Sequence, residues 1–194
     1  MKPLSPSFFE RTTIEVAKAL LGCILLHKTK EGITSGKIVE TEAYLQNDPA
    51  SHSFKGKTLR NAVMFGPAGN AYVYFTYGMH YCFNVVTQKG GMGEAVLIRA
   101  LEPLQGIELM KTRRGITNIR QLCNGPAKLA QALAIIKEHN GMSLFKGPLR
   151  ICIPESKPSF KIVQTRRVGI SQGKSLHLRF YVEGSEFVSR ALAH

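Results

Sequence analysis

The chain has 194 residues, enough for one domain with a core of its own, and a single domain over 1–194 is expected. Its 26 Lys and Arg against 13 Asp and Glu give a formal net charge of +13, a field that draws polyanions and puts nucleic acid first among partners and a membrane surface second. No apolar run is long enough to span a bilayer, Met1-Lys2-Pro3-Leu4-Ser5-Pro6 lacks the apolar centre of a signal peptide, and no basic amphipathic helix or lipidation signal is evident. A cytoplasmic protein with no membrane partner is therefore expected. Cys23, Cys82, Cys123 and Cys152 are scattered and have apolar neighbours, and the six histidines make no H-x-x-x-H, so reduced core thiols and no metal or cofactor are expected.

In chain order, Thr12-Thr13-Ile14-Glu15 matches a capping box, and the helix behind it stops at Gly22. Cys23 to His27 reads as a buried strand. A second strand runs from about Lys37 to Tyr44, and period two puts Ile38, Glu40, Glu42 and Tyr44 on one face. Two carboxylates thus share a face with a ring. A solvent face would hold them harmlessly; a face looking into a cleft would desolvate a carboxylate beside the ring and fit it for work as a base. From Leu45 to Asn70 no period holds, and a loop this long, carrying His52, Phe54, Lys55, Lys57 and Arg60, is usually functional.

Ala71 to Thr87 reads as two antiparallel strands around Tyr77-Gly78-Met79-His80, with Gly78 in the first central position of a two-residue type II′ turn. Turn tips in solvent are polar; this one carries Tyr77, Met79 and His80, which suits a partner as well as it suits a hairpin folded under another loop. The glycines of Lys89-Gly90-Gly91-Met92-Gly93 form a connector, without the strand-to-helix setting of a phosphate cradle. Glu94 to Leu101 is an apolar strand interrupted by Arg99, whose guanidinium requires a carboxylate, phosphate or carbonyl partner. A short helix spans roughly Leu104 to Arg113. Asn124-Gly125-Pro126-Ala127-Lys128 starts another, with Leu129, Leu133 and Ile136 on one face and a first turn in which Lys128 could help hold a phosphate. Arg150 to Ile153, Lys161 to Thr165 and Leu176 to Val182 read as further strands, with a basic loop at Arg166-Arg167-Val168-Gly169. An α+β domain results, a mostly antiparallel curved sheet with flanking helices and a protruding β-hairpin.

Basic charge interleaved with aromatic rings is how unstacked bases are held. A carboxylate amid such rings repels a phosphate backbone, so its presence points to chemistry on whatever the rings hold. Three readings remain open on these residues: an enzyme acting on a base, a non-catalytic binder of DNA shape, and an RNA-binding accessory domain.

Ile38-Val39-Glu40-Thr41-Glu42-Ala43-Tyr44, Ala50-Ser51-His52-Ser53, Arg60-Asn61-Ala62-Val63-Met64-Phe65, Tyr72 through Met79, Asn84-Val85 and Leu97-Ile98-Arg99-Ala100-Leu101-Glu102-Pro103 together resemble the alkyladenine (3-methyladenine, methylpurine) DNA glycosylases. The resemblance continues through Gly125-Pro126-Ala127-Lys128-Leu129, Arg167-Val168-Gly169 and Leu178-Arg179-Phe180-Tyr181-Val182, in order, over most of the chain. It implies double-stranded DNA containing damaged purines as partner, no obligate protein partner, a monomer, and release of alkylated or deaminated purines by water. It also implies roles: Glu42 as general base, Arg99 reaching the backbone near the water, Tyr44, His52 and Tyr74 around the extruded base, and Asn84 crowding the exocyclic amino group of guanine. Tyr77 would wedge into the duplex, with Met79 and His80 beside it on the DNA side, and Lys128 would meet a phosphate. With a two-residue turn, Tyr74 would pair with Phe83 and Asn84 would fall on the opposite face, so a bulge in that hairpin is expected.

Overall fold

The computed structural model describes residues 1–76, 80–154 and 159–189. Its elements in order are α1 (Pro6–Phe9), α2 (Thr13–Ala19), β1 (Ile24–Thr29), β2 (Gly32–Tyr44), β3 (Ala71–Thr76), β4 (His80–Thr87), β5 (Glu94–Gln105), α3 (Ile107–Arg114), α4 (Pro126–Ala132), β6 (Leu149–Cys152), β7 (Ile162–Thr165) and β8 (Arg179–Val182). The expected α+β fold with a curled antiparallel sheet is what forms. Strands follow the path β3-β4-β5-β2-β1-β6. One edge of β2 pairs with β5; the other is divided, Gly32–Lys37 against β1 and Glu40–Glu42 against β8, which carries β7. So β2 is the spine of the sheet.

Local chemistry accounts for the element ends. The capping box is present, with the Thr12 side chain accepting from the Glu15 amide and Glu15 reaching back to the Thr12 amide, and Gly22 takes a φ of 84° beyond the helix. Strand β2 begins at Gly32, five residues before the expected start at Lys37, because Ile33 to Gly36 pair with β1. At Gly36 a Cβ would stand 2.9 Å from Leu101 Cβ, so only glycine lets β5 approach there.

The two faces of the sheet differ. Val73, Phe83, Val85, Val96, Ile98 and Leu101 join Phe9, Leu20, Leu129 and Leu133 in the main core under the helices. Burial of such side chains is worth about 1.5–3 kcal/mol each and dominates folding. The opposite face carries a small cluster of Met64, Tyr72, Val86 and Ala95, and beyond it a cleft.

Simple alternation along β2 fails at one point, and the failure builds the site. Ile38 pairs with Leu101 and Glu40 with Ala100, so Val39 is an extra residue in β2; Glu40 and Thr41 then pair with Ala100 and Ile98, so Arg99 is an extra residue in β5. Two bulges side by side leave Ile38 in the main core, off the face it was expected to share with Glu40 and Glu42. They also turn Arg99 toward those two carboxylates.

The bulge expected between β3 and β4 does not occur; their described ladder is regular. Thr76 pairs with His80, Tyr74 with Cys82 and Tyr72 with Asn84, so three residues rather than two join the strands. This odd number corrects the two-residue turn and puts Tyr72, Tyr74, Cys82 and Asn84 on one face without a bulge. The joining residues, Tyr77, Gly78 and Met79, lie outside the described residues, and with them the expected tip. Helix α4 is shorter than the periodicity predicts: it ends at Ala132, Ala134 takes a φ of 53°, and Ile136 is exposed. Its N-cap is Gly125, and Asn124 accepts from Lys128 Nζ at 2.7 Å.

Candidate active site

The cleft, about 880 Å³, lies where β2, β3, β4 and β5 present their non-core faces beneath two loops, 49–60 and 168–172. That volume is within the range of small-molecule sites. Tyr44, His52, Tyr72, Tyr74, Asn84 and Arg99 all line it, with Lys55 and Arg60 at the loop side. The structure therefore brings together five residues singled out in sequence, and Glu42 lies directly beneath, sealed from solvent.

Glu42 Oε1 accepts from the Val168 amide at 2.8 Å. Its Oε2 accepts from the Tyr44 hydroxyl at 2.9 Å and from Arg99 Nη1 at 3.3 Å. Burial pushes the Glu42 carboxyl above its ordinary range, against the lowering influence of Arg99, the Val168 amide and Tyr44. Glu40, two residues earlier, accepts from Arg99 Nε (3.1 Å), Arg179 Nε (2.7 Å), Ser189 Oγ (2.9 Å) and the Ser189 amide (2.6 Å). A carboxylate offers about four acceptor positions. Among the described residues Glu40 accepts four bonds, three on Oε1 and one on Oε2, and Glu42 accepts three, one on Oε1 and two on Oε2. The partner that Arg99 was expected to need is thus a pair of carboxylates, and the two bulges are what aim it at both.

The aromatic residues form two groups. His52 and Tyr74 touch edge to face, with ring centroids 4.5 Å apart and planes at 68°. Tyr72 supports both, its hydroxyl 2.9 Å from His52 Nδ1 and its ring 5.5 Å from that of Tyr74. Partial burial and the charge of Arg60 push the His52 imidazole below its ordinary value, although the residue as a whole is exposed. Asn61 pins the His52 loop by donating to the carbonyls of His52 (2.8 Å) and Gly56 (3.0 Å). Elsewhere in the lining, one face of Tyr44 is covered by the guanidinium of Arg167, 4.6 Å from the ring centroid. Arg167 is buried, paired with Asp48 through both carboxylate oxygens and donating to the Ala43 carbonyl at 3.0 Å. So Arg167 is not a surface cation of a basic loop, as its neighbours in sequence suggest. It is a brace for Tyr44.

Asn84 is buried, with Nδ2 donating to the Tyr72 carbonyl at 3.1 Å. His80 is exposed at the start of β4, and Thr76, its cross-strand partner, lines the cleft. Tyr77 and Met79 lie outside the described residues. Lys128 does not line the cleft, although Pro126 does, and its ammonium is held by Asn124. Sequence reasoning passed over Asp48, Tyr72, Arg167, Arg179 and Ser189. The one available signal for them was Arg179 alternating with apolar residues in a strand, the same signal that marked Arg99.

A family model described as methylpurine-DNA glycosylase matches residues 7–186. Proteins named as candidate 3-methyladenine DNA glycosylases are similar throughout. One from Methanoculleus marisnigri is 55% identical over 190 residues, covering 96% of this chain and 98% of its own. One from Carboxydothermus hydrogenoformans is 53% identical over 189 residues, with the same coverage. A third, from Francisella tularensis, is 52% identical over 181 residues, covering 92% and 94%.

Proposed function

The chain belongs to the methylpurine-DNA glycosylase family, and from that premise we propose that it is a monomeric, single-domain enzyme that extrudes alkylated or deaminated purines from duplex DNA. It hydrolyses the N-glycosidic bond with water, leaving an abasic site. The observation that carries the reading is the contrast between the two buried carboxylates: Glu40 is held by two buried arginines and Ser189, whereas all three bonds of Glu42 come from groups that line the cleft of aromatic rings, Tyr44, Arg99 and Val168.

In this mechanism Glu42 takes a proton from the attacking water, and its negative charge stabilises the oxocarbenium character that the sugar acquires as the bond breaks. Its proton affinity, raised by burial, suits a base. Arg99 compensates the charge of the carboxylate from below. With His52 and Tyr74 only 4.5 Å apart, no planar base fits between them, since two stacking contacts of about 3.5 Å each are needed. They act together as one wall. Tyr44, whose far face Arg167 covers, supplies the other, and each stacked ring contributes roughly 1–3 kcal/mol.

Extruding a base costs a few kcal/mol. Tyr77, which directly follows the cleft residue Thr76, offsets that cost by wedging into the stack, with Met79 and His80 beside it on the DNA. Asn84 stands at the cleft wall against the exocyclic amino group of guanine, which discriminates against the normal base. Lys128 meets a phosphate. An N-alkylated purine is cationic and leaves readily; Glu42 is then the group that matters most.

Replacing Glu42 by Gln keeps the shape and removes the base. Release of 3-methyladenine from methylated duplex DNA should fall by about 10²–10⁴-fold while affinity for an abasic-analogue duplex is retained. Release at the normal rate refutes the assignment.

A further inference from the structure

Arg99 carries five N–H donors in a planar fork that ordinarily grips one carboxylate with two parallel bonds. Here it does not. Its Nε side goes to Glu40 at 3.1 Å, and a single nitrogen, Nη1, reaches Glu42 at a longer 3.3 Å, shared with the Val168 carbonyl at 3.5 Å. Nη2 donates to Ser189 Oγ at 3.2 Å, and Ser189 in turn holds Glu40 by its amide and its hydroxyl. Arg179, buried in β8, donates to Glu40 at 2.7 Å from the other side. Two anions and two cations are therefore buried together, and the division of donors among them is uneven.

We propose that Glu40 is a positioning residue for base excision: by capturing the Nε side of Arg99 it keeps the guanidinium from closing bidentate on Glu42 and so preserves the acceptor position that the water needs. This rests on Glu42 being the general base. Glu40 itself does not line the cleft, and its bonds come from Arg99, Arg179 and Ser189 within the protein. The groups facing Glu42 are Arg99 of β5, Tyr44 and Glu40 of β2, the Val168 amide and the Cys82 thiol of β4. Those facing Glu40, among the described residues, are Arg99, Glu42, Arg179 of β8 and Ser189. Without the charge of Glu40, the fork of Arg99 turns wholly to Glu42, and a like charge that raises the Glu42 proton affinity is removed as well. Both changes make Glu42 a weaker base.

The test uses single-turnover release of 3-methyladenine from methylated duplex DNA across pH. Glu40→Gln is expected to slow release by roughly ten- to hundredfold and to move the acid limb of the profile to lower pH, with abasic-analogue affinity unchanged. Because Glu40→Gln leaves two buried arginines facing one carboxylate, the double variant Glu40→Gln/Arg179→Met, which restores the charge balance, is measured beside it. Ser189→Ala, which removes one bond to Glu40 and one from Arg99, should shift the limb in the same direction by less. An acid limb that stays in place in whichever of these variants folds overturns the positioning role and leaves a merely structural one. Glu42→Gln, measured alongside, separates the two failures: normal release in it removes the base itself, whereas abolished release with an unmoved limb in the Glu40 variants removes only the proposal made here.

Discussion

The Tyr44 hydroxyl donates to Oε2 of Glu42 at 2.9 Å from two residues further along the same strand, so the stacking ring and the carboxylate beneath it are coupled through one proton. That bond favours the ionised carboxylate and lowers its proton affinity. Tyr44→Phe keeps the ring and deletes the bond. The acid limb of the excision profile should move to higher pH, opposite in sign to the Glu40 variants, while abasic-analogue affinity stays as it was. Tyr44→Ala should in addition lose roughly 1–3 kcal/mol of affinity for an extruded base, read by titration of a duplex carrying a flippable fluorescent purine.

Asp48 and Arg167 are both buried, and their pairing is what lets a guanidinium lie against Tyr44. Removing one partner of a buried ion pair leaves the other uncompensated and typically costs about 3–5 kcal/mol. Asp48→Asn should therefore lower the urea midpoint markedly. The double change Asp48→Asn/Arg167→Met should recover most of the stability but not the stacking, so its affinity for the extruded base should remain low.

The excess of positive charge makes duplex affinity salt-dependent, with log K falling linearly against log salt. Lys55 and Arg60 stand at the cleft, and Arg60 donates to the Phe75 carbonyl at 3.4 Å. Arg60→Gln and Lys55→Gln should each reduce the salt slope by about one. Lys128→Gln tests the phosphate contact in the same way, since the 2.7 Å bond to Asn124 uses only one of the three ammonium protons.

Far from the cleft, His27 and His139 are buried with Nε2 atoms 3.2 Å apart. His139 Nδ1 accepts from the Ile136 amide at 3.0 Å, so its proton is on Nε2 and is given to His27, whose own proton on Nδ1 goes to the Leu133 carbonyl at 2.6 Å. Burial pushes His27 below its ordinary value. In the unfolded chain it protonates near pH 6.5, so below that pH the unfolded state binds more protons than the native one. The stability this pair supports is present above about pH 6.5 and is lost as pH falls below it. Urea midpoints between pH 8 and pH 5.5 should decline, and His27→Gln should flatten the decline.

Several parts of the fold were legible because they depend on near neighbours. The capping box at Thr12 and Glu15, the glycine stop at Gly22, the strands around residues 71–87 and the shared face of Glu40, Glu42 and Tyr44 all follow from spacing of two to four residues. The requirement of Arg99 for a carboxylate, phosphate or carbonyl partner was legible too, since an unpaired guanidinium is too costly to bury; that the partners are two carboxylates was not. The three-residue link between β3 and β4 was not, because a two-residue turn fits the same apolar pattern and only the pairing of Thr76 with His80 distinguishes them. Nor was the end of α4: the apolar spacing runs on to Ile136, and it is the turn at Ala134 that breaks it.

Charge, periodicity and the ordered motifs of the chain by themselves determined a basic α+β protein with a carboxylate among aromatic rings, since these are properties of residue type and short spacing. How the donors are divided between the two carboxylates was decided only in three dimensions. The paired bulges at Val39 and Arg99, the return of β8 to the edge of β2 and the arrival of Ser189 at Glu40 bring together groups far apart in the chain. Donors are shared out by distance and direction in the folded state, and neither quantity is written in the order of the residues.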